Sequence, residues 1–174
     1  MTMTPELQYL LDRQAIEDVV RRYARGVDRH DVRTMNTVFH DDMVDNHGPF
    51  VGGREAFTTW VNDLHSHKTT IHMHGITTHS CRIDGDAAFA ETYVTFVLKL
   101  REGGKVMFGS GRYIDRLERR DGTWRIALRR TMTDSRFESG SVEPPAGVAR
   151  GTWDRTDPSH ALFSKAPERR EGTR

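Results

Sequence analysis

A chain of 174 residues can bury one sizeable core and is short for two. Its 26 basic and 25 acidic residues nearly cancel, which leaves no electrostatic footprint for nucleic acid and makes a small molecule the expected partner. The single cysteine, Cys81, excludes an intramolecular disulfide framework and a cysteine-based zinc site, and suits a reducing compartment.

The N-terminus, MTMTPELQYLL, lacks the basic start and apolar run of a signal peptide, and no apolar stretch approaches membrane-spanning length. A cytoplasmic protein with no membrane partner is expected. From Gln14 to Arg29 the apolar residues Ile16, Val19, Val20, Tyr23, Ala24 and Val27 recur at three- and four-residue spacing, a helix with one buried stripe. A shorter helix is predicted over Thr34 to Phe39, then a short edge strand over Met43 to His47 ended by the turn GPF. VGGREAFTTWVNDLHSH puts Phe57, Trp60, Val61 and Leu64 on one helical face.

After Lys68 the period becomes two. TTIHMHGITTHSCRI alternates Ile71 and Met73 against His72 and His74 and ends in the hairpin signal DGD. AAFAETYVTFVLKL, a turn at REGGK, VMFGSGRYIDRLERR, a turn at DG and TWRIALRRTMTD follow. Successive strands with tight connections form an antiparallel meander, so the predicted class is α+β: a strongly curved sheet packed on N-terminal helices as a cone with an interior cavity. The expected domain covers 1–135. Residues 136–174, rich in Pro, Gly and charge, read as an extended tail whose Trp153, Leu162 and Phe163 are apolar enough to dock and whose last eight residues are expected to be disordered.

Chemistry begins with Asp28. It lies four residues after Ala24 and eight after Val20, so it continues the edge of the buried stripe, where a carboxylate must find a partner. The alternative is that the helix stops near Val27 and Asp28 and Asp31 cap the next one. His74 is the natural partner: it shares one strand face with His72, and a carboxylate behind an imidazole fixes its tautomer as a general base requires. The same HxH pair is half of a metal site, which Asp45 and His47 are available to complete, although their spacing does not demand it. A histidine-rich surface strand is the plain alternative. Tyr23 sits on the buried stripe as a packed phenol or a proton donor. On the last strand, period two groups Arg130, not Arg129, with Trp124, Ile126, Leu128 and Met132; a bulge would reverse that choice.

DRQAIEDVVRRYARGVDRHD, FHDDMVDNHG, GREAF, HGITTHSCRIDGDAA and GRYIDRLERRDGTWRIALRR, in that order over roughly residues 7 to 135, resemble the SnoaL-like branch of the nuclear transport factor 2-like superfamily. Within the branch the pattern is similar to cofactor-free lyases: hexachlorocyclohexane dehydrochlorinase, scytalone dehydratase and bile acid 7α-dehydratase. The resemblance implies an aspartate at Asp28 orienting a histidine at His74 that removes a proton from carbon, a tyrosine at Tyr23 and an arginine at Arg129. It also implies a homo-oligomer, with a trimer favoured. Thr78 stands where an asparagine is frequent, and Phe96 near where bile acid dehydratase carries a second carboxylate.

The expected activity is elimination from a small apolar or aromatic molecule, or retro-aldol loss of a small aldehyde. Tyr23 or Arg129 would stabilise the developing charge, and Phe39, Met43, His47, Phe57, Trp60, Met73, Phe96, Phe108 and Met132 would line the pocket. No Gly-rich phosphate loop or Rossmann fingerprint is present, so no cofactor is expected, and no metal. The rival readings are an isomerase or polyketide cyclase with Asp28 as base, and a non-catalytic module that binds a ligand or supports a partner subunit.

Overall fold

The structure, a computed structural model, describes residues 3–141, 143, 145–148 and 151–159. They fall into two compact units divided between residues 141 and 142. In the first, helix α1 spans Pro5–Asp28, α2 Val32–Thr37 and α3 Arg54–Lys68. The strands are β1 Phe39–Asn46, β2 Val51–Gly52, β3 Thr69–Asp84, β4 Ala87–Leu100, β5 Lys105–Arg120 and β6 Thr123–Gly140.

Helix α1 begins well before the apolar stripe that marks it in the sequence. Thr4 caps it, accepting the Leu7 N–H on Oγ1 at 3.3 Å, and Pro5 occupies the first turn, where no donor is needed. Leu7, Leu10 and Leu11 in this early part stay exposed, so no periodicity announces it. The helix runs through Asp28. Asp31 caps α2, its Oδ1 accepting the Thr34 N–H at 2.9 Å. The two helices touch at Gly26, where a Cβ would lie 2.8 Å from Cγ of Met35.

The sheet order is β2-β1-β6-β5-β4-β3, open, with β2 and β3 at its edges. Every pairing is antiparallel except β1 with β6, which is parallel. The predicted helix over Thr34–Phe39 and the edge strand over Met43–His47 both change: α2 stops at Thr37, Phe39 pairs with Ile126, and β1 lies inside the sheet. β6 continues to Gly140, past residue 135, because it pairs with β5 to the end.

Irregularities bend the long strands. Leu117 faces Ile126 and Arg116 faces Leu128, which leaves Ala127 as an extra residue; Asp134 is extra in the same way between Thr133 and Ser135. In β3 the pairing shifts across Thr77 and Thr78. Bulges of this kind increase local twist and curl a strand, and the concave face closes over α1 and α3. Ile16, Val20 and Tyr23 of α1 and Phe57 and Val61 of α3 pack there against Val94, Leu117 and Ile126.

The bulge at Ala127 decides the parity question. Leu128 is 43% exposed and Arg129 has no solvent contact, the reverse of simple alternation. Nε and Nη2 of Arg129 donate to the two Asp115 oxygens at 2.8 and 2.6 Å, and its guanidinium lies 4.1 Å from the Tyr23 ring centre and 4.2 Å from that of Tyr113. Burial opposes the Arg129 charge, but the adjacent Asp115 outweighs it and holds the pKa above its ordinary value.

In the second unit, Asp157 organises a local turn, accepting the N–H groups of Thr152 and Ser159 at 3.0 Å each. Trp153 is half-buried, while Leu162 and Phe163, expected to dock, lie outside the described residues, as do the last eight. Arg129→Met is expected to destabilise the protein by about 3–5 kcal/mol, because Asp115 is left buried and unpaired. Adding Asp115→Leu should recover part of that loss, as read from urea unfolding midpoints.

Candidate active site

The last residue of α1 meets the first long strand. Asp28 Oδ2 accepts the backbone N–H of His74 at 2.9 Å, and Oδ1 accepts Nδ1–H of the same residue at 2.7 Å. Two bonds to one partner fix both the carboxylate and the ring, with Nδ1 protonated and Nε2 left over. Behind this dyad, His72 Nε2–H donates to the Val27 carbonyl at 2.9 Å, satisfying a backbone acceptor in the last turn of α1. His65 of α3 stacks on His72 at 4.2 Å between ring centres and meets His74 edge-on at 5.6 Å. Burial, assisted by the neighbouring histidines, lowers the His65 pKa to about 2, and burial also lowers that of His72. Both are neutral imidazoles at ordinary pH.

His74 opens onto a cavity of about 400 Å³. Helix α3 supplies Val61, Leu64 and His65, and β4 supplies Val94, Phe96 and Leu98. β5 gives Met107 and Tyr113, β6 gives Thr131, Met132, Thr133 and Arg136, and His47, Gly48 and Pro49 follow β1. His74, Phe96, Gly109 and Arg136 form one cross-strand row. The Phe96 ring lies over Gly109, where a Cβ would fall 2.2 Å from the ring.

Of the residues picked from sequence, His47, His74, Phe96 and Met132 line this cavity, and Asp28 stands behind His74. Tyr23 and Arg129 do not reach it; they form the layer beneath Tyr113. Phe39, Met43 and Phe57 are buried core residues: the Tyr23 and Phe57 rings both meet Phe39 edge to face, which leaves no gap among them. Trp60 stacks on Phe50 at 5.0 Å. Met73 and Phe108 are exposed, Met73 alternating outward from His72 and His74, and Phe108 pairing with Phe137. Tyr113, His65, Leu98 and Met107 were missed. Period two in GRYIDRL groups Tyr113 with Gly111 and Asp115 but does not say which face is concave.

Burial, opposed by the nearby Arg129, raises the Tyr113 pKa, so its hydroxyl keeps its proton at neutral pH. His47 is backed by Asp45, whose Oδ1 lies 2.9 Å from Nδ1. Among the described residues no three His, Cys, Asp or Glu side chains are arranged to hold a metal ion, and no helix is long and apolar enough to cross a membrane. A larger, more open depression of about 710 Å³ lies on the other face of the sheet, bordered by Phe89, Ile114 and Leu128.

The sequence model of the SnoaL-like domain matches residues 8–130. No curated protein matches the chain. Among solved structures, a type 2 hexachlorocyclohexane dehydrochlorinase, LinA, superposes with a TM-score of 0.76 at 21% identity, covering 82% of this chain and 99% of its own. A scytalone dehydratase-like protein from Novosphingobium aromaticivorans gives 0.69 at 18%, covering 82% and 97%. A single-residue variant of Rv3472, a protein of unknown function from Mycobacterium tuberculosis, gives 0.67 at 26%, covering 77% and 78%.

The neutral histidine wall has a pH consequence. The folded His65 pKa is below its value of 6.5 elsewhere, so under acid the unfolded chain takes up a proton that the folded one refuses. Stability is therefore complete above pH 6.5 and is lost as the pH falls below it, by up to about 1.4 kcal/mol per pH unit from this residue. The melting temperature is expected to fall between about pH 7 and about pH 5, and His65→Leu should flatten that slope.

Proposed function

The chain belongs to the SnoaL-like domain family, and from that premise we propose that it is a cofactor-independent lyase acting on a small apolar or aromatic molecule. The observation that carries this reading is the doubly bonded Asp28–His74 pair opening onto a largely apolar cavity. His74 Nε2 removes a proton from substrate carbon. Asp28 holds the ring and balances the imidazolium that forms. Loss of water, hydrogen halide or a small aldehyde follows. At about 400 Å³ the cavity is at the small end of ligand pockets, which suits a compact substrate.

The developing negative charge needs a donor, and the geometry favours Tyr113, in the cavity wall, over Tyr23 beneath it. Arg129, stacked on the Tyr113 ring, supports that hydroxyl from behind as a positioning residue; it does not touch substrate. The cytoplasmic setting and the homo-oligomer, with a trimer favoured, belong to the same reading. Phe89, Ile114 and Leu128, exposed on the outer face of three neighbouring strands, supply an apolar surface for self-association.

The reading is tested on a panel of compact β-hydroxy and β-halo ketones, with product mass followed. His74→Ala and Asp28→Asn are expected to lower turnover by about 10²–10⁴-fold while the fold survives, the scale of a lost general base. Product lighter by water or hydrogen halide supports elimination. Product of unchanged mass would indicate an isomerase, and undiminished turnover in His74→Ala would remove the dyad from the mechanism.

A further inference from the structure

The cavity is faced by a second histidine–carboxylate pair. His47 Nδ1 lies 2.9 Å from Oδ1 of Asp45, a carboxylate with no solvent contact. The arrangement repeats that of His74: Nδ1 is engaged by a carboxylate, and Nε2 has no protein partner among the described residues. The residue is held on several sides. Thr131 Oγ1 lies 3.1 Å from the same Nδ1, the Phe57 and Trp60 rings pack at 5.2 and 5.8 Å, and the backbone N–H donates to the Phe50 carbonyl at 2.8 Å. A histidine that only fills a turn needs no buried carboxylate behind it, since an unpaired charge in that place is costly. Among the described residues Asp45 Oδ2 accepts no hydrogen bond, so His47 is the only side chain hydrogen-bonded to this carboxylate. Arg129, opposite Asp45 across β1 and β6, directs its Nε and Nη2 to Asp115.

Three strands separate β1 from β3 in the sheet, yet His47 and His74 line one cavity. Phe96, Tyr113 and Thr131, one from each intervening strand, form the floor between them. A substrate lying on that floor has an imidazole at either end.

Resting on the lyase reading above, we infer that His47 is the general acid of the reaction, and that the substrate accordingly loses an oxygen leaving group. A halide departs as a stable anion and needs no proton. Hydroxide does not, because water is a weak acid, with a pKa of about 15.7. In the step, His74 Nε2 takes the proton and the C–H electron pair becomes the new carbon–carbon π bond. The neighbouring C–O bond breaks with its pair on oxygen, and that oxygen takes the Nε2 proton of His47, which enters the step as an imidazolium with its Nδ1–H held by Asp45, to leave as water. His74 ends protonated and His47 neutral, and exchange with solvent restores both. A site that expels only halide requires the base alone; this one holds a base and an acid.

The test uses β-hydroxy ketones of one to three rings, each paired with its O-acetyl ester, whose acetate leaves without a proton. His47→Gln is expected to slow the hydroxy ketones by about 100-fold or more while slowing the acetates by no more than about threefold, the signature of a lost proton donor. His74→Ala should slow both series alike. In His47→Ala, added imidazole should restore turnover of the hydroxy ketones alone, which a folding defect would not allow. Equal slowing of both series by His47→Gln, or none, overturns the assignment of His47 and leaves the lyase reading standing. Turnover of neither series, nor of the β-halo ketones, by the unaltered protein overturns the lyase reading itself, and undiminished turnover of both series by His74→Ala removes the dyad on which that reading rests.

Discussion

A guanidinium without solvent contact organises this molecule. Arg129 is gripped by Asp115 on the adjacent strand and by the faces of Tyr23 and Tyr113, one from the first helix and one from the sheet. Desolvating such a charge is expensive, and the paired carboxylate together with two ring faces makes it tolerable, although Nη1 has no hydrogen-bond partner among the described residues. That requirement ties α1, β5 and β6 to one another at a single level. Tyr113, in the cavity wall, and Asp45, paired with Arg129 across β1 and β6, are set from there. The cation thus works through its neighbours, beneath the floor and out of reach of any ligand.

Much of the architecture was legible in the residues. The stripe from Ile16 to Val27, the turn glycines after Asp84 and Asp121 and the change of period after Lys68 specify helices followed by hairpins, because these signals are local. The Asp28–His74 pair was legible for a different reason: a carboxylate on an apolar stripe is a local inconsistency, and such inconsistencies gather at working sites. What period two alone does not give is the phase beyond a bulge, which only the resemblance, by implying Arg129, supplies. Ala127 shifts the phase of β6, so Arg129 turns inward and Leu128 outward, and no propensity of Ala127 announces it. Tyr113 is not legible in this way, since a strand pattern does not reveal which face becomes concave. Phe39 and Phe57 read as pocket residues because large apolar side chains that fill a core and those that border a cavity look the same in sequence.

The cavity wall has an unusual chemical economy. Five histidines fall between His65 and His79, yet those nearest the dyad differ in kind. His74 has a carboxylate; His72 has a backbone carbonyl, and His65 has only ring neighbours and is kept uncharged by burial. Uncharged imidazoles pack around a proton acceptor without competing for its proton and without adding a positive charge that would resist its protonation. Type of partner, not type of residue, separates the working ring from its supports.

Asp28 also ends a helix, and at the wrong end for a carboxylate. The carbonyl groups of a final turn carry partial negative charge, so an anion there is repelled where a lysine or arginine would be attracted. The two donors on His74, with Arg25 in the same last turn, offset that repulsion. The helix terminus is therefore weaker than its sequence could make it, and the weakness is the same feature that orients the imidazole. Selection for heat resistance alone would replace this aspartate by a neutral or basic residue, and a hardier but inert descendant would result.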